Sequence, residues 1–148
     1  MSAPPQVTVH DSADSAEEAF YEALQRGDVE GVMALWADDD EVVCTHPGGP
    51  RLVGLERIRE SWTEILAEGG LDVRPGNVRV YGAGTLSVHS LIERIVVVGA
   101  RGRDIAECVA TNVYTRTAAG WRLLAHHAGA SPGGEEPAPP SSGGATLH

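Results

Sequence analysis

From residue 72 to residue 131 the chain is almost wholly long β-forming runs broken by short glycine-bearing connections, and this limits the possible folds more than any other feature. The runs cover 72–81, 85–98, 104–117 and 121–131, and the breaks are Gly82-Ala83-Gly84, 99–102 and Ala118-Ala119-Gly120. Connections this short join neighbouring strands into antiparallel meanders. A sheet of four such strands curls under its own twist and needs an apolar layer over at least one face.

That layer has to come from the residues upstream. Asp14 or Ser15 is placed to cap a helix through Arg26, with Ala16, Ala19, Phe20, Ala23 and Leu24 as its apolar stripe and Gly27 as its stop. Asp28 caps a second, short helix that turns Val32, Met33, Leu35 and Trp36 inward before Asp38-Asp39-Asp40 turns the chain. Residues 42–45 form a short strand, and His46-Pro47-Gly48-Gly49-Pro50 cannot be helical. The helical period then returns over 54–68 through Leu55, Ile58, Trp62, Ile65 and Leu66, and ends at Gly69-Gly70.

With 148 residues, 42% of them apolar and 22% charged, the chain suits one domain with a real core. Residues 1–13 read as a flexible arm and 14–131 as the domain. Residues 132–148, rich in Pro, Gly and Ser, read as a disordered tail. A net charge of -10 repels phosphate backbones, so nucleic acid is not an expected partner. The apolar runs fall short of the roughly 18–20 residues of a membrane span, and the first residues lack the features of a signal peptide. Neither a membrane nor an export signal is therefore expected, and a cytoplasmic location is. Cys44 and Cys108, in neither CxxC nor zinc-ligand spacing, are expected as free thiols.

Several motifs in order resemble one family. They are Arg26-Gly27-Asp28, Leu35-Trp36-Ala37-Asp38-Asp39, His46-Pro47-Gly48-Gly49, Gly54 at the head of the third helix, and Gly120-Trp121 leading into His126-His127. Together they resemble the nuclear transport factor 2-like superfamily, and within it the SnoaL-like proteins and ketosteroid isomerases. The resemblance spans 15–131 and implies an α+β cone, with three N-terminal helices packed on a curved antiparallel sheet around an apolar pocket. It says less about activity, since this fold carries isomerases, dehydratases, cyclases, hydrolases, transport adaptors and oligomerisation domains.

The resemblance also implies a site. The isomerases' catalytic aspartate, followed by proline at the end of the first strand, corresponds to His46 here, and a histidine can move a proton near neutral pH. Their oxyanion-binding aspartate corresponds to Asn112, whose amide can also donate to an oxyanion. Their helix-one tyrosine corresponds to Phe20, which has no hydroxyl, and Tyr21 points about 100° away around a helix. With Asn112 facing inward, alternation turns Cys108, Ala110 and Tyr114 inward too. On the last strand the resemblance places Ala125, His127 and Gly129 inward. His46, Asn112 and His127 are thus the candidate catalytic groups, and Phe20, Trp36, Trp62 and Tyr114 the candidate substrate contacts.

Each candidate has a plainer alternative. His46 can cap its loop, His127 and Asn112 can be bonded core residues, and the tryptophans can be simple core. A metal on His46, His126 and His127 is poorly supported, because adjacent strand residues point to opposite faces; no metal or cofactor is expected. Alternation alone leaves Glu93 and Glu107 undecided. Three functions stay open: proton transfer on a small apolar carbonyl compound, ligand binding without turnover, and an oligomerisation domain. Apolar residues of both parities in the strands, among them Leu86, Val88, Ile92, Val109 and Val113, lead us to expect a homodimer joined through its sheets.

Overall fold

The computed structural model describes residues 8–131. Helix α1 spans Ala13–Arg26, α2 Val29–Met33 and α3 Leu55–Ile65; the strands are β1 Val43–Thr45, β2 Arg51–Val53, β3 Val73–Ala83, β4 Leu86–Gly99, β5 Gly102–Thr117 and β6 Gly120–Ala130. One curved six-stranded sheet runs β2-β1-β6-β5-β4-β3, and the helices pack on its inner face to make the α+β cone. No helix among the described residues is long and apolar enough to cross a membrane.

The sheet is mixed, not purely antiparallel. β1 runs parallel to β6, with Val43 opposite Ala125 and Thr45 opposite His127, while every other neighbouring pair is antiparallel. A parallel pair needs a long crossover, and here everything from β2 to β5 supplies it. β2 was not expected from sequence; it forms when the chain folds back after Pro47 and pairs Leu52 with Cys44.

The cap of α1 is Ser12, two residues earlier than expected, and its side chain accepts from the Ser15 amide. Gly27 closes the helix in the left-handed region at φ 68°, and a Cβ there would lie 2.9 Å from Gly69 and Gly70 backbone atoms. Asp28 caps α2 as expected, accepting from the Gly31 amide at 2.9 Å. Ile65 of α3, expected inside, is exposed; Ile58 and Trp62 carry the buried face.

His10 lies in the stretch expected to be a flexible arm, yet it is buried. Its carbonyl accepts from the Trp121 amide at 2.9 Å, and its Nδ1 lies 2.8 Å from the Ser15 hydroxyl. Beside it Trp36 bridges to Leu123, so the first half of β6 is flanked by two single-residue bridges before β1 takes over. The reason is backbone pairing, since an uncovered strand edge would leave N–H and C=O groups without protein partners. Residues 1–7 of the expected arm and the tail expected over 132–148 lie outside the described residues.

A β-bulge in β6 has the largest effect on the interior. Tyr114 pairs with Leu123 but Val113 pairs with Ala125, so Leu124 is an extra residue. Leu123 faces inward as simple alternation requires, and beyond the bulge the parity flips, burying His126 and Ala128 and turning His127 out. The inward placement expected for Ala125 and His127 is therefore corrected by one residue. On β5 the expected parity holds, with Cys108, Ala110, Asn112 and Tyr114 all buried.

Candidate functional site

Stripe positions on α1 and the inward parity of β4, β5 and β6 converge on one buried polar network. Glu17 lies one turn before Tyr21 on the face of α1 that also carries Phe20, and all three are buried. Glu17 Oε2 accepts from the Tyr114 hydroxyl at 2.8 Å, from His89 Nδ1 at 2.9 Å and from Asn112 Nδ2 at 3.4 Å. Asn112 Nδ2 also donates to the Tyr21 oxygen at 3.0 Å, and the Tyr21 hydroxyl donates to Glu93 Oε2 at 2.7 Å. Burial first, then the Glu93 charge, pushes the Tyr21 pKa well up, so the group stays a hydroxyl. Burial likewise raises the Glu93 pKa, while the bond from Tyr21 partly opposes the shift.

This network sets the protons on His126. Both hydrogens of the Asn112 amide point at acceptors, so its Oδ1 faces His126 Nδ1 at 2.5 Å and Nδ1 carries the proton. Nε2 is then the bare nitrogen, with no partner among the described residues. Burial, helped by the nearby His46 and His127, lowers the His126 pKa to about 3, so the ring is neutral at physiological pH.

His46, just past β1, obeys a similar logic. The Ser61 hydroxyl gives its only proton to the Ile58 carbonyl at 2.7 Å, so it accepts from His46 Nε2, 2.9 Å away. The free lone pair is on Nδ1, and burial pushes this ring's pKa down too. The two imidazoles stand 6.4 Å apart, ring centre to ring centre. Trp62 packs on both, at 4.6 Å from His46 and 5.9 Å from His126, and Phe20 closes the cluster 5.9 Å from Trp62 and 5.5 Å from His126. Trp62 is 3% exposed, and its Nε1–H has no hydrogen-bond partner among the described residues. Two neutral bases and one unspent donor in an aromatic surround can bind and polarise an uncharged polar molecule.

The expected residues divide accordingly. His46, Phe20 and Trp62 come together. Asn112 is at the centre, but both its amide hydrogens are already engaged, so it acts on His126 instead of donating to a ligand. Tyr114 is held by Glu17, and its ring packs on His89 at 4.9 Å, away from the four-ring cluster. Trp36 is buried against Leu123 and makes no ring contact among the described residues. His127 is on the outer face, opposite Thr45 and Thr111. Sequence reasoning missed Glu17, Tyr21, His89 and His126; for the helix pair the signal was present, because both sit on the apolar stripe of α1. Glu93 is inside, whereas Glu107 accepts from exposed Arg94. No group of three or more His, Cys, Asp or Glu among the described residues is arranged to hold a metal ion.

The His126 shift has a sign that can be tested. Its pKa falls from 6.5 in the free ring to about 3 in the fold, so its stabilising contribution is complete above pH 6.5 and is lost as the pH drops toward 3. By linkage this amounts to about 2 kcal/mol at pH 5. His46 acts in the same direction, while Glu93, with its raised pKa, gives stability that is lost as pH rises. Urea unfolding at pH 7, 6 and 5 should therefore show a smaller loss for His126→Gln than for the unaltered protein, a comparison in which Glu93 cancels.

A family model for the SnoaL-like domain matches residues 14–131. Among solved structures, a protein from Thiobacillus denitrificans, provisionally named a calcium/calmodulin-dependent protein kinase type II association domain, is 30% identical with a TM-score of 0.75, over 84% of this chain and 98% of that one. A protein from Streptomyces avermitilis, provisionally named a dehydratase of the nuclear transport factor 2-like family, is 33% identical with a TM-score of 0.72, over 80% and 93%. A nuclear transport factor 2-like protein of unknown function from Pseudomonas putida shares the fold at 19% identity and a TM-score of 0.69, over 80% and 83%. No curated protein matches the sequence. With the fold and the family match over residues 14–131 in agreement, the chain belongs to the SnoaL-like domain family of the nuclear transport factor 2-like superfamily.

Proposed function

We propose that the four-ring cluster is the binding end of a small-molecule pocket, and that the protein moves a proton on a small, uncharged carbonyl compound, as an isomerase, dehydratase or cyclase does. One observation carries this reading: His46 and His126, both kept neutral by burial, face each other across Phe20 and Trp62, next to an indole N–H with no partner among the described residues. A buried donor left unpaired costs about 1–3 kcal/mol, which a ligand oxygen accepting from it recovers. His46 takes the proton on Nδ1, Trp62 Nε1–H meets the carbonyl oxygen, and Asn112 holds His126 with Nε2 presented. The Streptomyces avermitilis relative, named for dehydration, is in keeping with such chemistry.

In a screen of neutral ketones and lactones, any compound turned over should lose about 10²–10⁴-fold in rate with His46→Ala and keep most of its affinity, because a base acts mainly in the transition state. Trp62→Phe should lower the rate by about a hundredfold, the scale of one lost oxyanion donor. Full turnover in both variants overturns the assignment.

A second reading, compatible with the first, rests on the outer face. In register across the sheet lie Val53, Val43, Ala125, Val113, Val88 and Tyr81, with Val53 and Tyr81 largely exposed and Val109 exposed nearby. A continuous apolar row of this kind favours pairing with a second copy. The relative named as an association domain supports it. Sedimentation at micromolar concentration should give a dimer or larger assembly, and Val113→Lys should give a monomer; a monomeric unaltered protein rejects the reading.

A further inference from the structure

Glu17 does more than hold Asn112. On its other side it holds His89, and His89 holds Ser87. Ser87 and His89 are two residues apart on β4, so both face inward. Glu17 Oε2 lies 2.9 Å from His89 Nδ1, and His89 Nε2 lies 3.0 Å from the Ser87 hydroxyl. Since the same Glu17 oxygen already receives the Tyr114 hydroxyl and the Asn112 amide, it is an acceptor and His89 Nδ1 carries the proton. In the neutral ring the lone pair is then on Nε2, facing the Ser87 hydroxyl, for which no other side-chain bond competes among the described residues. Ser87, His89 and Glu17 form the hydroxyl, imidazole and carboxylate relay that activates a serine as a nucleophile.

The relay borders a part of the inner face that no helix covers. Val80, opposite His89 on β3, is 54% exposed. Ser87 itself is opposite Gly82, where an added Cβ would meet nothing nearer than the Leu86 carbonyl at 3.8 Å. Ser87 therefore has no side chain across from it on that flank, while Tyr114 stands across from it on β5. Ser87 is 7% exposed, and Asp14 Oδ1, on the solvent-exposed first turn of α1, lies 3.9 Å from His89 Nε2. An exposed valine across from His89 suits a short apolar acyl group, and the carboxylates of Asp14 and Glu17 disfavour an anion.

We infer that Ser87 is a nucleophile toward neutral esters with a short acyl chain, with His89 as its base and Glu17 as a positioning residue, at a site separate from the four-ring cluster. Ser87 Oγ attacks the ester carbonyl as its proton passes to His89 Nε2. The acyl–oxygen bond then breaks, the alkoxide takes that proton and leaves as the alcohol, and the acyl group stays on Oγ. Water, giving its proton to Nε2, attacks this ester, and the carboxylic acid departs as the proton returns to Ser87.

The test uses the full chain and 4-nitrophenyl acetate. Intact mass and peptide mapping should show one acetyl group on Ser87, gained as one equivalent of 4-nitrophenol is released. Ser87→Ala, which removes one oxygen and leaves the packing alone, should take up none. His89→Gln should slow acetylation about a hundredfold or more, the scale seen when such a relay loses its base. Glu17→Gln should lower the acetylation rate at saturation while leaving the half-saturating ester concentration unchanged, a split that a merely structural role does not produce. An unaltered, folded protein that takes up no acetyl group and releases 4-nitrophenol no faster than Ser87→Ala, or that takes the acetyl group up on another residue, overturns the proposal, whatever becomes of the His46 reading.

Discussion

The interior is organised by one side chain that has to satisfy three partners at once. Asn112 is fully buried at the middle of β5, where each unpaired polar group would cost a few kcal/mol, so its amide has to find acceptors and its carbonyl a donor. Glu17 and Tyr21, one turn apart on α1, supply the acceptors, and His126 supplies the donor. Helix and sheet are thereby joined by directed bonds as well as by apolar contact. The same bonds fix the proton of His126 on Nδ1 and leave Nε2 bare. Truncating Glu17 would leave Tyr114, His89 and Asn112 all reaching for one missing oxygen, a loss on the scale of breaking a buried ion pair, about 3–5 kcal/mol.

Both ends of the network follow from that centre. Toward β6, Asn112 sets a neutral imidazole against Phe20 and Trp62, with His46 across from it. Toward β4, Glu17 sets a second imidazole against a serine. A single buried carboxylate oxygen thus orients two histidines of opposite placement, one directly and one through an amide. Neither arrangement needs a metal or a strained backbone; each rests on donor and acceptor counting in a dry interior.

Much of this was legible in the chain itself. The three helices and the four long strands follow from apolar periodicity and glycine punctuation, local signals that are strong here, while the inward parity of β5 follows from the position that the family resemblance gives Asn112. The bulge at Leu124 was not legible, since an extra strand residue leaves no mark in the hydrophobic pattern when both faces carry apolar residues, as around Leu123, Leu124 and Ala125. That one residue separates the expected His127 from the observed His126. As a residue type Glu17 offers no local sign of burial, because charge usually marks exposure. Its position four residues before Tyr21, on the stripe that buries Phe20, pointed inward, but only the partners on β4 and β5 make that burial tolerable. His10 and β2 depend on pairing with distant strands, and no local propensity announces such pairing.

Asn112 fixes the protonation of His126, and nitrogen NMR of the histidine rings reads that protonation out. Long-range ¹H–¹⁵N spectra of the ¹⁵N-labelled protein between pH 5 and 8 should show His126 as the neutral ring with its proton on Nδ1 throughout, without titrating in that range. A His126 ring protonated on Nε2, or one that becomes an imidazolium near pH 6.5, would contradict the account, because Asn112 would then be turned the other way or the ring would not be dry.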